Sequence, residues 1–335
     1  MKTSRIRQST TVPVEKKRIT VCCAGILVAD TFCGPMKKLP SAGQLLSVET
    51  MPSKAGGCAA NVAINLARQG FVVEVAGRLG RDSAARFLVD CFAAHHIGTR
   101  NLTWSECQPT SKTVVLIVEG QDRRYLHHFG ANREFTVGQM DRTGLENCGV
   151  FYLGGLFAMP SLKSGELLDL LKFCRNRGVT SVIDVVVPQS VKGMAELKPL
   201  LPHIDWFLPN DDEAFQFTGV RDPLGQLRIF REVGAHNIVI TRGKKGAVVA
   251  QGDTYWHAGV YSMKAIDCSG SGDAFSSGMI TGILRGWDMP RTLRHASALG
   301  ASATRAIGTT AGVFDSAEAE TFIATHALPL KTGRF

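Results

Sequence analysis

Apolar runs of strand length alternate with amphipathic segments of helical length along most of the 335-residue chain. The first run lies at 18–26, and further runs follow at 71–76, 150–153, 181–187, 205–208 and 237–241. Helices are predicted between them, for example at 83–94 and 163–177, where apolar residues recur at helical spacing. This alternation predicts an α/β fold with a doubly wound, mostly parallel sheet flanked by helices.

A different pattern interrupts the alternation in the first half of the chain. Residues 31–54 are rich in Pro, Gly and Ser, with a candidate exposed strand at 45–51. Two strand-like runs at 113–118 and 125–129 flank Gly-Gln-Asp at 120–122, which indicates a β-hairpin. Together these segments predict a second, small sheet.

The composition narrows the ligand class. The chain has 38 Lys and Arg against 29 Asp and Glu, and this excess is spread along it, which suits acidic ligands such as nucleotides or sugar phosphates. No basic run with interleaved aromatic residues indicates nucleic-acid binding. The nine irregularly spaced cysteines favour reduced thiols and a cytoplasmic location. Residues 1–17 are basic and lack an apolar core, so we interpret them as a disordered tail, not a signal peptide or membrane span.

The stretch at 267–275, Asp-Cys-Ser-Gly-Ser-Gly-Asp-Ala-Phe, carries the strongest chemical signal. Gly270 and Gly272 allow close approach of the backbone to a ligand, and the free N–H groups of a first helical turn bind anions. A carboxylate there disfavours mere phosphate binding, so Asp273 is a candidate proton acceptor in phosphoryl transfer. The alternative is an ordinary loop that ends in an N-cap aspartate. A dinucleotide-binding fingerprint is disfavoured because Phe275 takes the place of its third glycine.

Polar residues also follow the predicted strands in the first half. Asp30 comes just after the first strand, where open α/β sheets place ligand groups, although a turn or helix cap explains it equally well. Gly56 and Gly57 precede a predicted helix that carries Asn61, whose amide can both donate to and accept from hydroxyl groups. The alternative is a glycine turn before a helix.

An acidic cluster, Asn-Asp-Asp-Glu at 210–213, follows the strand at 205–208. Carboxylates at the end of a strand suit Mg²⁺, which binds one or two of them together with waters. The alternative is the first turn of a solvated helix, where acidic residues complement the helix dipole. Lys244 and Lys245 either reach phosphates or lie on the surface.

Taken together and in this order, these motifs resemble those of the ribokinase or PfkB family of carbohydrate kinases. The segment Gly-Gly-Cys-Ala-Ala-Asn at 56–61 is similar to the first family signature, and 267–275 is similar to the second, Asp-Thr-x-Gly-x-Gly-Asp-x-Phe. Four shorter motifs also have counterparts: Gly-x-x-Gly-x-Asp at 77–82, Gly-Ala-Asn at 130–132, Asn-x-x-Glu at 210–213, and Thr241 with Gly243. The resemblance covers about residues 18–325.

The resemblance implies a ribokinase-like kinase domain at 18–330 that uses ATP to phosphorylate a hydroxymethyl group of a sugar or sugar-like substrate. By this comparison Asp273 is the general base, and the N–H groups of Gly270, Ser271 and Gly272 stabilise charge on the transferring phosphoryl group. Four residues correspond to substrate-binding positions: Asp30, Gly56, Gly57 and Asn61.

The resemblance also implies positions for ATP, Mg²⁺ and K⁺. Mg²⁺ is expected at Asn210 and Glu213, through waters. K⁺ is expected at Asp267 and Ser269, with the segment 305–312. The residues expected to contact the nucleotide are Asn210, Thr241, Gly243 and Gly246.

Segments 31–54 and 112–130 are expected to form a β lid, through which the chain forms a homodimer. The expected partner is a small-molecule sugar, with neither nucleic acid nor membrane. Two departures from the family pattern bear on the substrate. Cys58 stands where ribokinases typically carry lysine, which weakens the case for ribose or a phosphorylated substrate, and the sequence around Asp184 lacks the frequent Asp-x-Asn-x-Arg.

Three alternatives to a sugar kinase stay open from the sequence. A nucleoside kinase of the same fold would use an aromatic or apolar lid contact for the base. A non-catalytic sugar- or nucleotide-sensing protein would not need Asp273. A dinucleotide-dependent oxidoreductase is disfavoured by Phe275.

Overall fold

The computed structural model describes residues 20–121, 123–188, 191 and 193–335. The predicted tail at 1–17 lies outside the described residues. The strands, in chain order, are β1 (Thr20–Gly25), β2 (Val28–Met36), β3 (Ser53–Gly56), β4 (Val72–Leu79), β5 (Gly98–Trp104), β6 (Lys112–Val118), β7 (Arg124–His128), β8 (Cys148–Leu156), β9 (Thr180–Val185), β10 (Trp206–Phe207), β11 (Asn237–Thr241), β12 (Ala247–Gln251), β13 (Thr254–Ala258) and β14 (Leu330–Arg334). The α-helices are α1 (Cys58–Arg68), α2 (Ser83–Ala94), α3 (Arg142–Leu145), α4 (Ser164–Asn176), α5 (Met194–Leu197), α6 (Asp211–Thr218), α7 (Pro223–Glu232), α8 (Ser271–Leu284), α9 (Met289–Ala303) and α10 (Ser316–Thr325).

Ten strands form one sheet in the order β14-β13-β12-β11-β10-β9-β8-β1-β4-β5. The seven strands from β5 to β11 are parallel to their neighbours, and the last three pair antiparallel at one edge. This confirms the predicted doubly wound, mostly parallel sheet.

The parallel strands are buried on both faces, which makes them continuous apolar runs. In β1, Val21 and Cys23 join one hydrophobic cluster, and Cys22 and Ala24 join another on the opposite face. The first cluster packs against α1, α2, α8 and α9, and the second against α4, α6 and α7. The sheet is therefore the middle layer between two layers of helices.

The second sheet has four strands in the order β3-β2-β6-β7, and it contains the predicted hairpin as β6 and β7. The predicted strand at 45–51 is wrong, because these residues run through an exposed loop in which Leu45 is 93% exposed. The strand that pairs with β2 is instead β3, just before the glycine pair. Asp30 lies within β2, at the small sheet, and not in a turn.

Candidate active site

The N-terminus of α8 is set by glycine geometry. Gly270 has φ 75°, and a Cβ there would lie 2.1 Å from the backbone oxygen of Thr309, so the position needs glycine. A Cβ at Gly272 would meet nothing within 4 Å, so the backbone there faces open space. Asp273 lies in the first turn of this helix.

Two cavities meet at this helix start. One has a volume of about 250 Å³ and is lined by Asp273 together with Cys58, Asp184, Asn210 and Glu213. The other has a volume of about 380 Å³ and a largely apolar wall that includes Val260, Tyr261, Met263, Phe275 and Ala301. Both are lined by Thr241, Cys268, Ser271 and Gly272. The anion-binding end of α8 therefore lies at the junction of a polar cavity and an apolar one.

Asp273 is half-buried and held by two neighbours from α1. Asn61 Nδ2 donates to Asp273 Oδ2 at 2.7 Å, and the Cys58 thiol also donates to this carboxylate. Thr309 Oγ1 lies 2.7 Å from Asn61 Oδ1, which keeps the amide N–H directed at Asp273. Burial raises the pKa of Asp273, and the two hydrogen bonds offset part of that shift.

The predicted substrate-binding residues gather around a second buried carboxylate. Asp30 is 7% exposed, and burial, followed by the charge of Asp273, raises its pKa to about 7 against an opposing hydrogen bond from Thr113. A Cβ on Gly56 would lie 1.8 Å from Asp30 Oδ2, so this glycine makes room for the carboxylate. Gly57 has φ 85° and no room for a Cβ beside the backbone oxygen of Ile26. Asn61, also predicted to contact substrate, donates its amide N–H to the Asp273 carboxylate.

The Asn-x-x-Glu motif forms the N-terminus of α6. Asn210 Oδ1 accepts from the N–H of Glu213 at 2.9 Å, and Glu213 Oε2 accepts from the N–H of Asn210 at 2.9 Å, which is a capping box. Both residues also line the polar cavity, so the helix-start and ligand-binding interpretations are compatible. Burial raises the pKa of Glu213 to about 7, with a further contribution from Asp273. Phe217 anchors the helix by packing its ring against Phe207 and Phe230.

The predicted nucleotide-contacting turn follows β11. Thr241 pairs with Asn210 in an isolated parallel bridge, which joins this turn to the start of α6. Gly246 has φ 83°, and a Cβ there would lie 1.9 Å from the backbone oxygen of Ala258, so only glycine fits. Thr241, Gly243 and Gly246 line the apolar cavity, as does Lys244.

Asp267 is buried at the loop that precedes α8. Its Oδ1 accepts from the N–H of Ser269 at 2.9 Å, and its Oδ2 accepts from the N–H of Gly308 at 3.0 Å. A guanidinium nitrogen of Arg123, from the β6–β7 turn, lies 3.4 Å from Asp267 Oδ1 and 3.2 Å from Ser269 Oγ. The structure thus brings the small sheet onto the predicted cation position, a contact that the sequence did not indicate.

Asp184, at the end of β9, lines the polar cavity but was not among the predicted site residues. Its carboxylate lies beside Cys58 and Asp273, with one ligand atom from each residue within 4.8 Å of the others. Burial raises the pKa of Asp184, and the charges of Asp273 and Glu213 raise it further. One general rule could have found Asp184, because open α/β sheets place ligand groups at the carboxyl ends of their buried strands. The same rule singled out Asp30 from the sequence.

Comparison with known proteins identifies a family. A model of the pfkB family of carbohydrate kinases matches residues 18–315. The ATP-dependent 6-phosphofructokinase of Thermoanaerobacterium thermosaccharolyticum is 24% identical over 275 residues, which cover 79% of this chain and 84% of that one. The 2-dehydro-3-deoxygluconokinase of Bacillus subtilis is 26% identical over 279 residues, covering 79% of this chain and 85% of its own.

Solved structures share the fold. The ribokinase of Arabidopsis thaliana, solved with ribose and ATP, superposes with a TM-score of 0.78 at 20% identity, covering 92% of this chain and 99% of its own. The nucleoside kinase of Methanocaldococcus jannaschii superposes with a TM-score of 0.75 at 17% identity, covering 92% of this chain and 99% of its own. Among the helices that the structure describes, none is both long and apolar enough to cross a membrane. With its family signatures and ribokinase-like fold, the chain belongs to the pfkB family of carbohydrate kinases.

Proposed function

We propose that the protein transfers the γ-phosphoryl group of ATP to a hydroxymethyl group of a sugar or sugar-like substrate, with Asp273 as the general base. The observation that carries this proposal is the position of Asp273. Its carboxylate lies in the first turn of α8, where a polar cavity and an apolar cavity meet. A base at the junction of two ligand cavities can take a proton from one ligand while the other donates a phosphoryl group.

The chain's own groups account for the main steps. Asn61 and Cys58 hold the Asp273 carboxylate, which accepts the proton of the substrate hydroxyl as the oxygen attacks phosphorus. The N–H groups of Gly270, Ser271 and Gly272 stabilise charge on the transferring group. Such donors contribute about 2.7–4 kcal/mol each to other transition states. Asp30, with Gly56 and Gly57 beside it, accepts hydrogen bonds from further substrate hydroxyls.

The apolar cavity fits the base and ribose of ATP, with the phosphates directed toward α8. Thr241, Gly243 and Gly246 line this cavity, and Asn210 lines the neighbouring polar cavity. For Mg²⁺, the oxygen donor of Glu213 in the polar cavity fits a hard cation bound through waters. Asp212 instead forms an exposed ion pair with Arg221. The chemistry that Mg²⁺ supplies when bound is neutralisation of charge on the phosphates.

We also propose that K⁺ stimulates the reaction more than Na⁺ does, through Asp267, Ser269 and the segment 305–312. Support comes from the link between Asp267 and Gly308, which joins this segment to the loop before α8. We propose that residues 18–330 form one kinase domain, in which segments 31–54 and 112–130 act as a lid over the site. The Arg123 contact with Asp267 supports this role.

An ADP-release assay tests the function. ATP and Mg²⁺ are supplied with pentoses, hexoses, keto-deoxy acids or nucleosides in separate reactions, with wild-type protein and Asp273→Asn in parallel. We expect ADP release that depends on one sugar class and is lost in the variant. A nucleoside as the best acceptor would favour a nucleoside kinase, and nucleotide binding with no acceptor-dependent release across the panel would overturn the proposal in favour of a sensing protein.

A further inference from the structure

Three potential metal ligands converge in the polar cavity from separate parts of the chain. Cys58 opens α1, Asp184 ends β9, and Asp273 lies in α8. The thiol sulfur and one carboxylate oxygen from each aspartate all lie within 4.8 Å of one another. Donor atoms around tetrahedral Zn²⁺ are about 3.3–3.8 Å apart, so side-chain movements of about 1 Å would close the site.

A buried hydroxyl faces the same point. Tyr152, on β8, has no exposed surface, and its hydroxyl approaches the Asp184 carboxylate in a contact that falls short of normal hydrogen-bond geometry. A Cβ built on Gly154 would lie 2.7 Å from Cys58 Cβ and 2.8 Å from Tyr152 Oη, which brings the two side chains together. Buried polar groups are rarely left poorly satisfied, so this hydroxyl is available to bond a further ligand at the cluster.

The donor set selects among cations. A thiolate with two carboxylates suits Zn²⁺ and similar borderline metals, whereas Mg²⁺ binds oxygen ligands. Three protein ligands leave a fourth position of a tetrahedron open to the cavity, as in zinc sites with exchangeable ligands. The Asn61 amide, bonded to Asp273 Oδ2, would orient one ligand from the second layer.

We propose that Cys58, Asp184 and Asp273 form a Zn²⁺ site, and that Zn²⁺ bound there inhibits the kinase. Binding forms one Zn–S and two Zn–O bonds, and the thiol proton of Cys58 leaves to solvent. The bound ion occupies the carboxylate that must accept the substrate proton. The inhibition rests on the proposed function of Asp273, whereas the binding does not.

Co²⁺ titration of the metal-free full-length protein, with Mg²⁺ in excess, tests the binding. We expect one equivalent of Co²⁺ to produce a near-ultraviolet thiolate-to-cobalt charge-transfer band that Zn²⁺ abolishes. Cys58→Ser should lose the band, and Asp184→Asn should weaken Co²⁺ binding by about tenfold or more. Cys268→Ser is the matched control, because Cys268 lines the same cavity outside the cluster, and it should keep the band.

Absence of the band, its survival in Cys58→Ser, or its loss in Cys268→Ser would each overturn the site. Thermal melting of each variant distinguishes a lost ligand from a lost fold. Should Cys58→Ser not fold, Cys58→Ala and Asp184→Asn carry the test.

Kinase assays test the consequence with the acceptor found in the ADP-release panel. We expect Zn²⁺ to inhibit at concentrations near those that displace Co²⁺, and a chelator to restore activity. Saturating Zn²⁺ that displaces Co²⁺ and leaves the rate unchanged would overturn the inhibition, and with it the proposed role of Asp273, while the binding site stands.

Discussion

At the scale of single residues, the candidate site is a group of buried and half-buried carboxylates. Asp30, Asp184, Asp273 and Glu213 are each raised in pKa, with burial as the largest cause. Groups with pKa values near the working pH are suited to proton transfer, and sites with such shifts are common in enzymes.

Replacing Asp273 with Asn tests the base directly. The amide keeps the size of the side chain but cannot accept the proton, so we expect kcat to fall by about 10²–10⁴-fold. Nucleotide affinity should stay within about threefold, because the backbone donors remain. Single-turnover assays and nucleotide titration measure the two quantities. Asp253→Asn, whose side chain is 91% exposed, is the control, and a kcat for Asp273→Asn within about tenfold of wild type would contradict the assignment.

Asp30 offers a test of stability against pH. Its pKa rises from 3.8 to about 7 on folding, so its contribution is fully present below pH 3.8 and is lost as the pH rises through about 7. We therefore expect Asp30→Asn, which cannot ionise, to gain stability relative to wild type between pH 5 and pH 8, by on the order of 1–4 kcal/mol. Urea unfolding at both pH values measures the difference. A stability difference that does not change with pH would show that Asp30 ionises normally.

Local motifs identified Asp273, Asp30 and Glu213 as candidates but did not reveal their contacts. In the structure the charge of Asp273 acts on both other carboxylates, so the fold brings the three candidates into one region. The Asn61 bond to Asp273 joins residues 212 positions apart, and local spacing does not reveal such a pair. Asp184 was not predicted as a site residue because the sequence around it lacks the frequent family motif, and only the fold brings it to the cavity.

At the scale of elements, the loop before α8 depends on backbone shape. Gly270→Ala places a Cβ 2.1 Å from a backbone oxygen at positive φ, so we expect a loss of unfolding free energy of at least about 1–3 kcal/mol. Gly272→Ala is the matched control, because its Cβ meets nothing within 4 Å, and it should fold with nearly unchanged stability. Urea denaturation compares the two. Equal losses of stability in the two variants would mean that the backbone geometry at the start of α8 does not require glycine at position 270.

The β6–β7 turn links the small sheet to the predicted cation position. Arg123 supplies positive charge to the buried Asp267, so we expect Arg123→Ala to make kcat/KM depend more steeply on K⁺ relative to Na⁺. Arg124→Ala, whose exposed side chain bonds Gln121, should resemble wild type. Titration of the dialysed protein with each salt gives the ratio of kcat/KM in K⁺ to kcat/KM in Na⁺. Activity indifferent to K⁺ in both wild type and Arg123→Ala would remove Asp267 from any cation role.

Elements with a clear period were predicted, and elements fixed by tertiary contacts were not. The helix predicted at 83–94 is α2, because its apolar residues follow the 3.6 period. In contrast, β14 has a mostly exposed, polar sequence, and its strand form depends on pairing with β13. The loop at 45–51 has the apolar residues of a strand but no neighbour to pair with among the described strands.

At the scale of the whole molecule, the main sheet is covered on both faces and the small sheet is not. Several apolar side chains are exposed on or beside the small sheet: Leu39, Leu45, Leu46, Met51, Tyr125 and Leu126. Exposed apolar groups collected on one element are typical of protein interfaces. The proposed homodimer through the lid would cover them.

Sedimentation equilibrium tests this homodimer. We expect wild-type protein to sediment as a dimer and Leu126→Asp to sediment as a monomer, because a charge on β7 would be buried without a partner in the interface. Leu126 is 64% exposed in the monomer, so its replacement should leave the melting temperature of the monomer nearly unchanged. Trp104→Ser, which removes an exposed apolar side chain on the edge strand of the other sheet, is the control and should remain dimeric. A wild-type protein that sediments as a monomer would contradict the proposed homodimer. A dimer that is disrupted by Trp104→Ser and not by Leu126→Asp would place the interface at β5 instead of the small sheet.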